Sequence, residues 1–207
     1  MYNINWDPAS IIEESMRIIE GYLGDYNFPA AEKAVIKRVV HTSGDPGLIN
    51  LIKFSPQAIN NGMEALKKGK DVFTDVNMVR SGVSARLLNK LGGQVHCHIA
   101  SPQVAEMAKD LGITRAAAAI RTNAEHFNGQ IVAIGNAPTA LFEILSLAEQ
   151  GICRPALVIG VPVGFVGAAE SKEAVIDSDL DYIALRGTRG GSPIAAAITN
   201  ALIHLSV

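Results

Sequence analysis

The sequence is poor in the residues that define several protein classes. It has two cysteines, Cys97 and Cys153, in 207 residues, and aromatic residues make up 5% of the chain. Two cysteines far apart in sequence do not form the framework of a disulfide-rich domain, and they favour a reduced, cytoplasmic protein. The formal net charge is −2, and no stripe of basic residues gives an electrostatic reason to bind nucleic acid or an anionic membrane.

The chain also lacks a long apolar run. Its most apolar stretch, residues 155–169, is interrupted by Gly160, Pro162, Gly164 and Gly167, and it is shorter than the roughly 20 residues of a transmembrane helix. The first seven residues contain no basic region followed by an apolar core, so no signal peptide is predicted. We interpret the mean hydropathy of +0.22 as a large buried core and expect a soluble protein.

Motifs of several enzyme classes are missing as well. The turn at residues 187–191 resembles a nucleotide-binding turn, but no G-x-G-x-x-G with a following ribose-binding acid is present. The phosphate-binding motif G-x-x-x-x-G-K-[ST] is absent, and no serine lies in a G-x-S-x-G context. Paired carboxylates typical of glycoside or peptide hydrolysis are not evident.

What the sequence does contain is a regular alternation of short apolar runs and helical patterns. The predicted strands are residues 51–54, 71–74, 94–99, 130–134, 156–160 and 181–185. Apolar strands that alternate with helices of about a dozen residues indicate a mostly parallel sheet with helices on both faces. We therefore predict a single three-layer α/β domain over residues 1–207, with N-terminal helices at about 7–41 and a sheet-and-helix body at about 48–207.

In such a sheet the ligand site lies beyond the carboxyl ends of the strands. Those ends carry glycines, small polar residues and arginines, and glycines and helix N-termini let the backbone approach an anion. Arginine adds donors suited to carboxylate or phosphate. The pattern predicts a rim that binds an anion with several acidic groups. Its segments are residues 77–82, 135–137, 160–167 and 186–192.

One histidine stands at the end of a predicted helix. The helix over residues 30–40 leads into His41 and a loop of Thr, Ser, Gly, Asp and Pro, and Arg38 precedes His41 by three residues, so that both share one helix face. Histidine transfers protons near neutral pH, which suits an acid or base beside an anionic ligand. The alternative is a cation that satisfies the last helix carbonyls. Spacing alone favours that alternative.

The segment at residues 96–98 and Ser15 are both interpreted as ordinary structural features. His96-Cys97-His98 on a predicted strand puts both imidazoles on one face, which is half a metal site, but no second cluster has ligand spacing. We favour a strand face under a helix. Ser15 in the first helix is interpreted, without further information, as an exposed serine.

Five segments lie in order along nearly the whole chain: residues 38–45 (RVVHTSGD), 71–82 (DVFTDVNMVRSG), 134–141 (IGNAPTAL), 160–166 (GVPVGFV) and 186–192 (RGTRGGS). Together they resemble the precorrin-8X methylmutases of cobalamin biosynthesis, and the chain length also suits that family.

The resemblance implies an isomerase that moves a methyl group from C-11 to C-12 of a tetrapyrrole polycarboxylate. The substrate would be precorrin-8X or cobalt-precorrin-8, and the product hydrogenobyrinate or cobyrinate. It assigns to His41 the role of proton donor or acceptor, and it places Ser15, Arg38 and Arg115 at the substrate. From the matching segments we add further substrate-binding residues: Thr42, Asn77, Arg80, Ser81, Gly82, Thr188 and Arg189.

The resemblance also carries expectations about cofactors and partners. A rearrangement needs no redox cofactor and no protein-bound metal, and we expect neither. A homodimer is implied, as is hand-over of the product to the next enzyme of corrin synthesis. The main alternative function is a non-catalytic carrier of tetrapyrroles, and a dinucleotide-dependent oxidoreductase is weaker because the fingerprint is missing. The sequence does not distinguish a substrate with cobalt from one without.

Overall fold

The fold is built on one six-stranded sheet. A computed structural model describes residues 6–24 and 26–207. The sheet order is β1-β6-β5-β4-β2-β3. The strands are β1 (Ile52–Phe54), β2 (Val72–Thr74), β3 (Val95–His96), β4 (Ile131–Ile134), β5 (Leu157–Gly160) and β6 (Tyr182–Leu185).

Five of the strands, β2 to β6, are parallel, and β1 pairs antiparallel with β6 at one edge. The carboxyl ends of the parallel strands therefore lie along one side of the sheet, called here the carboxyl edge. Because Ile52 pairs with Leu185, the start of β1 also lies at the carboxyl edge. The predicted fold class, a mostly parallel sheet between helical layers, is confirmed.

Ten α-helices surround the sheet in the described ranges 6–24 and 26–207. They are α1 (Pro8–Leu23), α2 (Ala30–Ser43), α3 (Ala58–Lys67), α4 (Asn77–Gly82), α5 (Ala85–Lys90), α6 (Pro102–Leu111), α7 (Arg115–Thr122), α8 (Pro138–Glu149), α9 (Ala168–Ile176) and α10 (Ser192–Ser206). Two 3-10 turns, Pro46–Asn50 and Ala124–Phe127, complete the set. None of these helices is both long and apolar enough to cross a membrane.

The core follows from the alternation of side chains along the strands. Val72, Ala133 and Ile159 point to the face covered by α1 to α5 and α10. Their neighbours Phe73 and Val132 point to the opposite face, covered by α7 to α9. Buried parallel strands are apolar on both faces, which is why the sequence shows continuous apolar runs there.

Three predicted elements differ from the structure. The strand predicted at 94–99 shrinks to Val95–His96. The alanine-rich sequence from Arg115 to His126 predicts one helix, but α7 ends at Thr122, because the Asn123 side chain donates to the carbonyl of Ala119 at 2.9 Å and a 3-10 turn follows. The segment 77–82, predicted as a loop, is the short helix α4, whose Val79 side chain is fully buried.

Candidate active site at the carboxyl edge

His41 lies in the last turn of α2 with an exposed side chain. The helix ends at Gly44, which adopts the left-handed conformation (φ 66°), and the Gly44 N–H donates to the carbonyl of Val40 at 2.8 Å. The Ser43 hydroxyl donates to the same carbonyl at 3.2 Å. Among the described residues, no group hydrogen-bonds to the His41 imidazole. The helix end is thus capped by other groups, and the imidazole is available to a ligand.

His41 and Ser15 line one groove of about 270 Å³ between α1, α2 and the first 3-10 turn. The Ser15 hydroxyl donates to the carbonyl of Ile11 at 2.8 Å, so its oxygen keeps the capacity to accept a hydrogen bond. The other lining residues are mainly apolar: Ile18, Ile19, Tyr22, Val40, Gly44 and Pro46. A polar pair at one end of an apolar groove suits a ligand that is itself partly apolar.

Arg38 does not share this groove. It lines a neighbouring groove of about 380 Å³ on the other flank of α1, together with Lys33 and Lys37. Both lysines are paired with Glu20, whereas Arg38 is exposed and has no carboxylate partner in the described part of the chain. Arg38 and His41 lie three residues apart in α2, as expected, but they line different grooves against α1.

An ion pair joins the end of α2 to the loop after β6. Arg189 Nη1 lies 2.7 Å from Asp45 Oδ2, and a Cβ at Gly47 would come within 3.2 Å of the same nitrogen. A single guanidinium nitrogen makes this contact, so the remaining N–H groups can still bind an anion. The ion pair brings the His41 region to the carboxyl edge. Thr42, next to His41, is exposed.

The loop at residues 186–191 is fixed by its backbone. The Gly164 N–H donates to the carbonyl of Thr188 at 3.1 Å, and the Gly191 N–H donates to the carbonyl of Val161 at 2.8 Å. Gly190 has φ 157°, and a Cβ there would lie 2.2 Å from the Val161 oxygen, so only glycine fits. Thr188 and Arg189 are exposed on this rigid loop.

Asp75 supports the carboxyl edge from within, and the sequence interpretation missed it. It is fully buried after β2, and its carboxylate accepts from the backbone N–H groups of Gly135, Asn136 and Ala137 at 3.1, 2.8 and 2.8 Å. Burial raises the pKa of Asp75, and the same three N–H groups oppose that rise. The turn before α8 was expected to bind the ligand anion; its N–H groups bind Asp75 instead. An acid directly after a buried strand was the available signal.

The four predicted substrate-binding residues in α4 divide between packing and exposure. Asn77 and Ser81 are exposed. Gly82 was selected for backbone approach to a ligand, yet a Cβ there would lie 2.7 Å from the Ala196 side chain, so its small size serves the packing of α4 on α10. Arg80 lines a separate groove of about 440 Å³ beside Gly92 and Gly93. The structure does not bring Arg80 into the groove of His41.

Arg115 begins α7 at the carboxyl edge. The Thr114 hydroxyl caps this helix by accepting from the Ala117 N–H at 3.2 Å, and it hydrogen-bonds the Thr139 hydroxyl at 2.7 Å. Thr139 lies in the first turn of α8, directly after β4, so the starts of both helices lie together. Arg115 is exposed and, within the described residues, forms no ion pair.

His96 on β3 and His98 just after it stack against an aromatic ring and belong to a different part of the molecule. The His96 and His98 rings lie 6.0 Å apart, and both stack on Phe73. His96 Nε2 lies 3.0 Å from Asp71 Oδ2. Over residues 6–24 and 26–207, no group of three His, Cys, Asp or Glu side chains is arranged to hold a metal ion.

The family model described as precorrin-8X methylmutase matches residues 10–205. The chain belongs to the precorrin-8X methylmutase family. A cobalt-precorrin-8 methylmutase of Methanocaldococcus jannaschii is 41% identical over 206 residues, covering 97% of this chain and 95% of the relative. A precorrin-8X methylmutase of Pseudomonas aeruginosa is 40% identical over 198 residues, covering 95% of both chains.

The fold agrees with the family. A crystal structure of precorrin-8X methylmutase from Thermus thermophilus superposes with a TM-score of 0.88 at 36% sequence identity, and the match covers 96% of each chain. Like these methylmutases, the chain is an isomerase of cobalamin biosynthesis. The resemblance seen in the five sequence segments is confirmed at the level of the family.

Proposed function

We propose that the enzyme moves a methyl group from C-11 to C-12 of precorrin-8X or cobalt-precorrin-8, giving hydrogenobyrinate or cobyrinate. The similar methylmutases are named for these two substrates. The observation that carries the proposal is the unpartnered imidazole of His41, which faces a largely apolar groove beside Ser15. A tetrapyrrole with acidic side chains needs such a combination of apolar surface and charged rim.

In this proposal His41 donates one proton to a ring nitrogen of the macrocycle. Protonation draws electron density away from the carbon skeleton, the methyl group migrates within the molecule, and the proton returns to the base that remains. The substrate and product have the same composition, so the step consumes no co-reactant. A proton donor within hydrogen-bond reach contributes about 10²–10⁴-fold to a rate, and an apolar wall that holds the reactive conformer contributes further.

The carboxylates of the substrate are proposed to bind the exposed basic and polar groups of the edge. Within the described residues, Arg38 and Arg115 form no ion pair, and Arg189 retains free N–H groups beside Asp45. The groove of about 270 Å³ is smaller than the roughly 300–1,000 Å³ of typical ligand pockets, so part of the macrocycle extends over the rim. Thr42, Asn77, Arg80, Ser81, Gly82 and Thr188 stay proposed contacts.

The experiment is an incubation of the purified protein with precorrin-8X and, separately, with its cobalt complex, while the visible spectrum is recorded. The methylmutase converts the spectrum to that of the corrin product with many turnovers per enzyme. A carrier protein would bind the ligand and leave its covalent structure unchanged, as mass spectrometry and NMR of the extracted ligand would show. Comparison of the two rates identifies which substrate the enzyme prefers.

We further propose a cytoplasmic homodimer that hands its product to the next enzyme of corrin synthesis. Cys97 and Cys153 are free thiols, and Phe165 and Val166 are 93% and 89% exposed at the carboxyl edge, where a second subunit would cover them. Sedimentation velocity measures the assembly. The homodimer would be contradicted if the wild type and Phe165→Asp both sedimented as monomers at micromolar concentration. Rapid release of the product would contradict hand-over to the next enzyme.

A further inference from the structure

Lys172 in α9 is a charged residue in an unusual place. Its side chain is fully buried, although lysine is almost never buried without a partner. Its ammonium donates to the carbonyl of Arg189 at 2.7 Å, and no carboxylate among the described residues pairs with it. Burial of an ammonium group costs free energy, so packing alone does not explain why a lysine occupies this buried position.

The carbonyl that Lys172 holds belongs to the rigid loop at residues 186–191. On one side of it, the Thr188 carbonyl is held by the Gly164 N–H, and on the other, the Gly191 N–H is held by the Val161 carbonyl. Both of those restraints are backbone hydrogen bonds. Lys172 supplies the side-chain restraint between them, at the residue whose own guanidinium contacts Asp45.

We propose that Lys172 is a positioning residue for substrate binding, which fixes the Arg189 backbone so that Arg189 and Thr188 meet a substrate carboxylate, and which places a buried positive charge beneath that contact. The inference rests on the proposed function, since it assigns the loop to a polycarboxylate ligand. A charge in a poorly solvated site acts on a nearby anion more strongly than one in water. An anionic ligand at the loop also interacts favourably with the buried ammonium, because the adjacent Glu173 is already paired with Arg186.

The charge state of Lys172 makes the inference measurable. Burial lowers its pKa to about 8, and the adjacent Glu173 opposes that fall. The other charged groups around it are already paired, Arg186 with Glu173 and Arg189 with Asp45. The neutral amine, populated as the pH rises above about 8, still donates a hydrogen bond but attracts no anion. Substrate affinity should therefore weaken as the pH rises through that range.

The test compares Lys172→Met, which removes donor and charge, with Lys172→Gln, which keeps a donor and removes the charge. At pH 7 we expect Lys172→Met to raise KM about 10-fold, which corresponds to about 1.4 kcal/mol, with kcat within about 3-fold. Lys172→Gln should recover part of the affinity, and both variants should lose the rise in KM above pH 8. Lys67→Met, an exposed lysine in α3, is the matched control.

Affinity for hydrogenobyrinate, measured by its absorbance change, provides a second measurement that needs no turnover. If wild type shows no conversion, the proposed function fails, while the binding comparison still decides the role of Lys172. If Lys172→Met does not fold, the KM of Lys172→Gln and the pH profile of the wild type test the role of Lys172 instead. Wild-type KM and an unchanged pH profile in a folded Lys172 variant would overturn the inference, as would a fall in kcat with no change in affinity.

Discussion

The carboxyl edge of the sheet has two parts that differ in how their polar groups are held. In the loops after β2 and β6, Asp75 binds three backbone N–H groups and Arg189 contacts Asp45. In the helices α2 and α7, His41, Arg38 and Arg115 are exposed and unpaired within the described residues. We propose that the first part is a fixed platform, on which Arg189 and Thr188 contact the ligand, and that the second part supplies free groups that engage it.

Removing the support of the platform should have the largest effect on stability. Asp75→Asn replaces one acceptor oxygen by an amide N–H that faces backbone donors. A buried donor left unsatisfied costs about 1–3 kcal/mol, so we expect a loss of about 3 kcal/mol in the free energy of unfolding. For a domain of this size that lowers Tm by about 6–12 °C, measurable by calorimetry. The control is Asp110→Asn, which alters an exposed residue of α6. Equal Tm values for Asp75→Asn and Asp110→Asn would contradict the role of Asp75.

The unpaired arginines should contribute to affinity rather than stability. Arg115→Gln removes a charge-assisted hydrogen bond to a substrate carboxylate, worth about 1.5–3 kcal/mol, and should raise KM by about 10-fold or more with Tm unchanged. Arg154→Gln serves as control, because Arg154 is exposed, precedes β5 and pairs with Asp179 away from the carboxyl edge. If both variants kept the wild-type KM, Arg115 would not belong to the binding site.

The ion pair between the two parts should have a smaller effect. Asp45→Asn keeps a hydrogen-bond acceptor for Arg189 but removes the charge, and exposed ion pairs are worth about 0–1 kcal/mol. We therefore expect KM to change by no more than about 5-fold and Tm to change little. An increase in KM as large as that expected for Arg115→Gln would mean that the platform and the free groups are not separate parts.

The smallest effect is expected from the stacked histidines, which lie outside both parts. Burial lowers the pKa of His98, and the neighbouring His96 and His126 lower it further. A histidine whose pKa is lower in the folded than in the unfolded state contributes full stability above the unfolded pKa of about 6.5, and that stability is lost as the pH falls below it. The decrease in Tm from pH 7.5 to 5.5 should therefore be smaller in His98→Gln than in wild type or in His204→Gln.

The sequence predicted the sheet and its carboxyl edge because buried parallel strands leave a strong pattern. Runs such as Ile131–Ile134 and Leu157–Gly160 are apolar at every position, and glycines and prolines mark where they end. Short segments were less predictable. The helix α4 has six residues, too few for a helical period to be distinguished from a loop.

The pairing of side chains across the edge was not predictable from the sequence. Asp45 and Arg189 are far apart in the chain, and so are Asp75 and the turn at Gly135. Which arginines are free and which are paired depends on the strand order, which local patterns do not encode. That Arg38 and His41 line different grooves was not predictable for the same reason, since the packing of α1 against α2 is a tertiary feature.

The proposed mechanism depends most directly on His41 as the proton donor, and a single-turnover measurement tests this role. His41→Asn and the control His204→Asn, which alters an exposed histidine near the end of α10, are each mixed in excess with substrate, and conversion is followed by absorbance. If His41 donates the proton, the affinity of His41→Asn for hydrogenobyrinate should be within about 3-fold of the wild-type affinity. Its conversion of substrate should be at least about 100-fold slower. Conversion by His41→Asn at the wild-type rate would contradict this role.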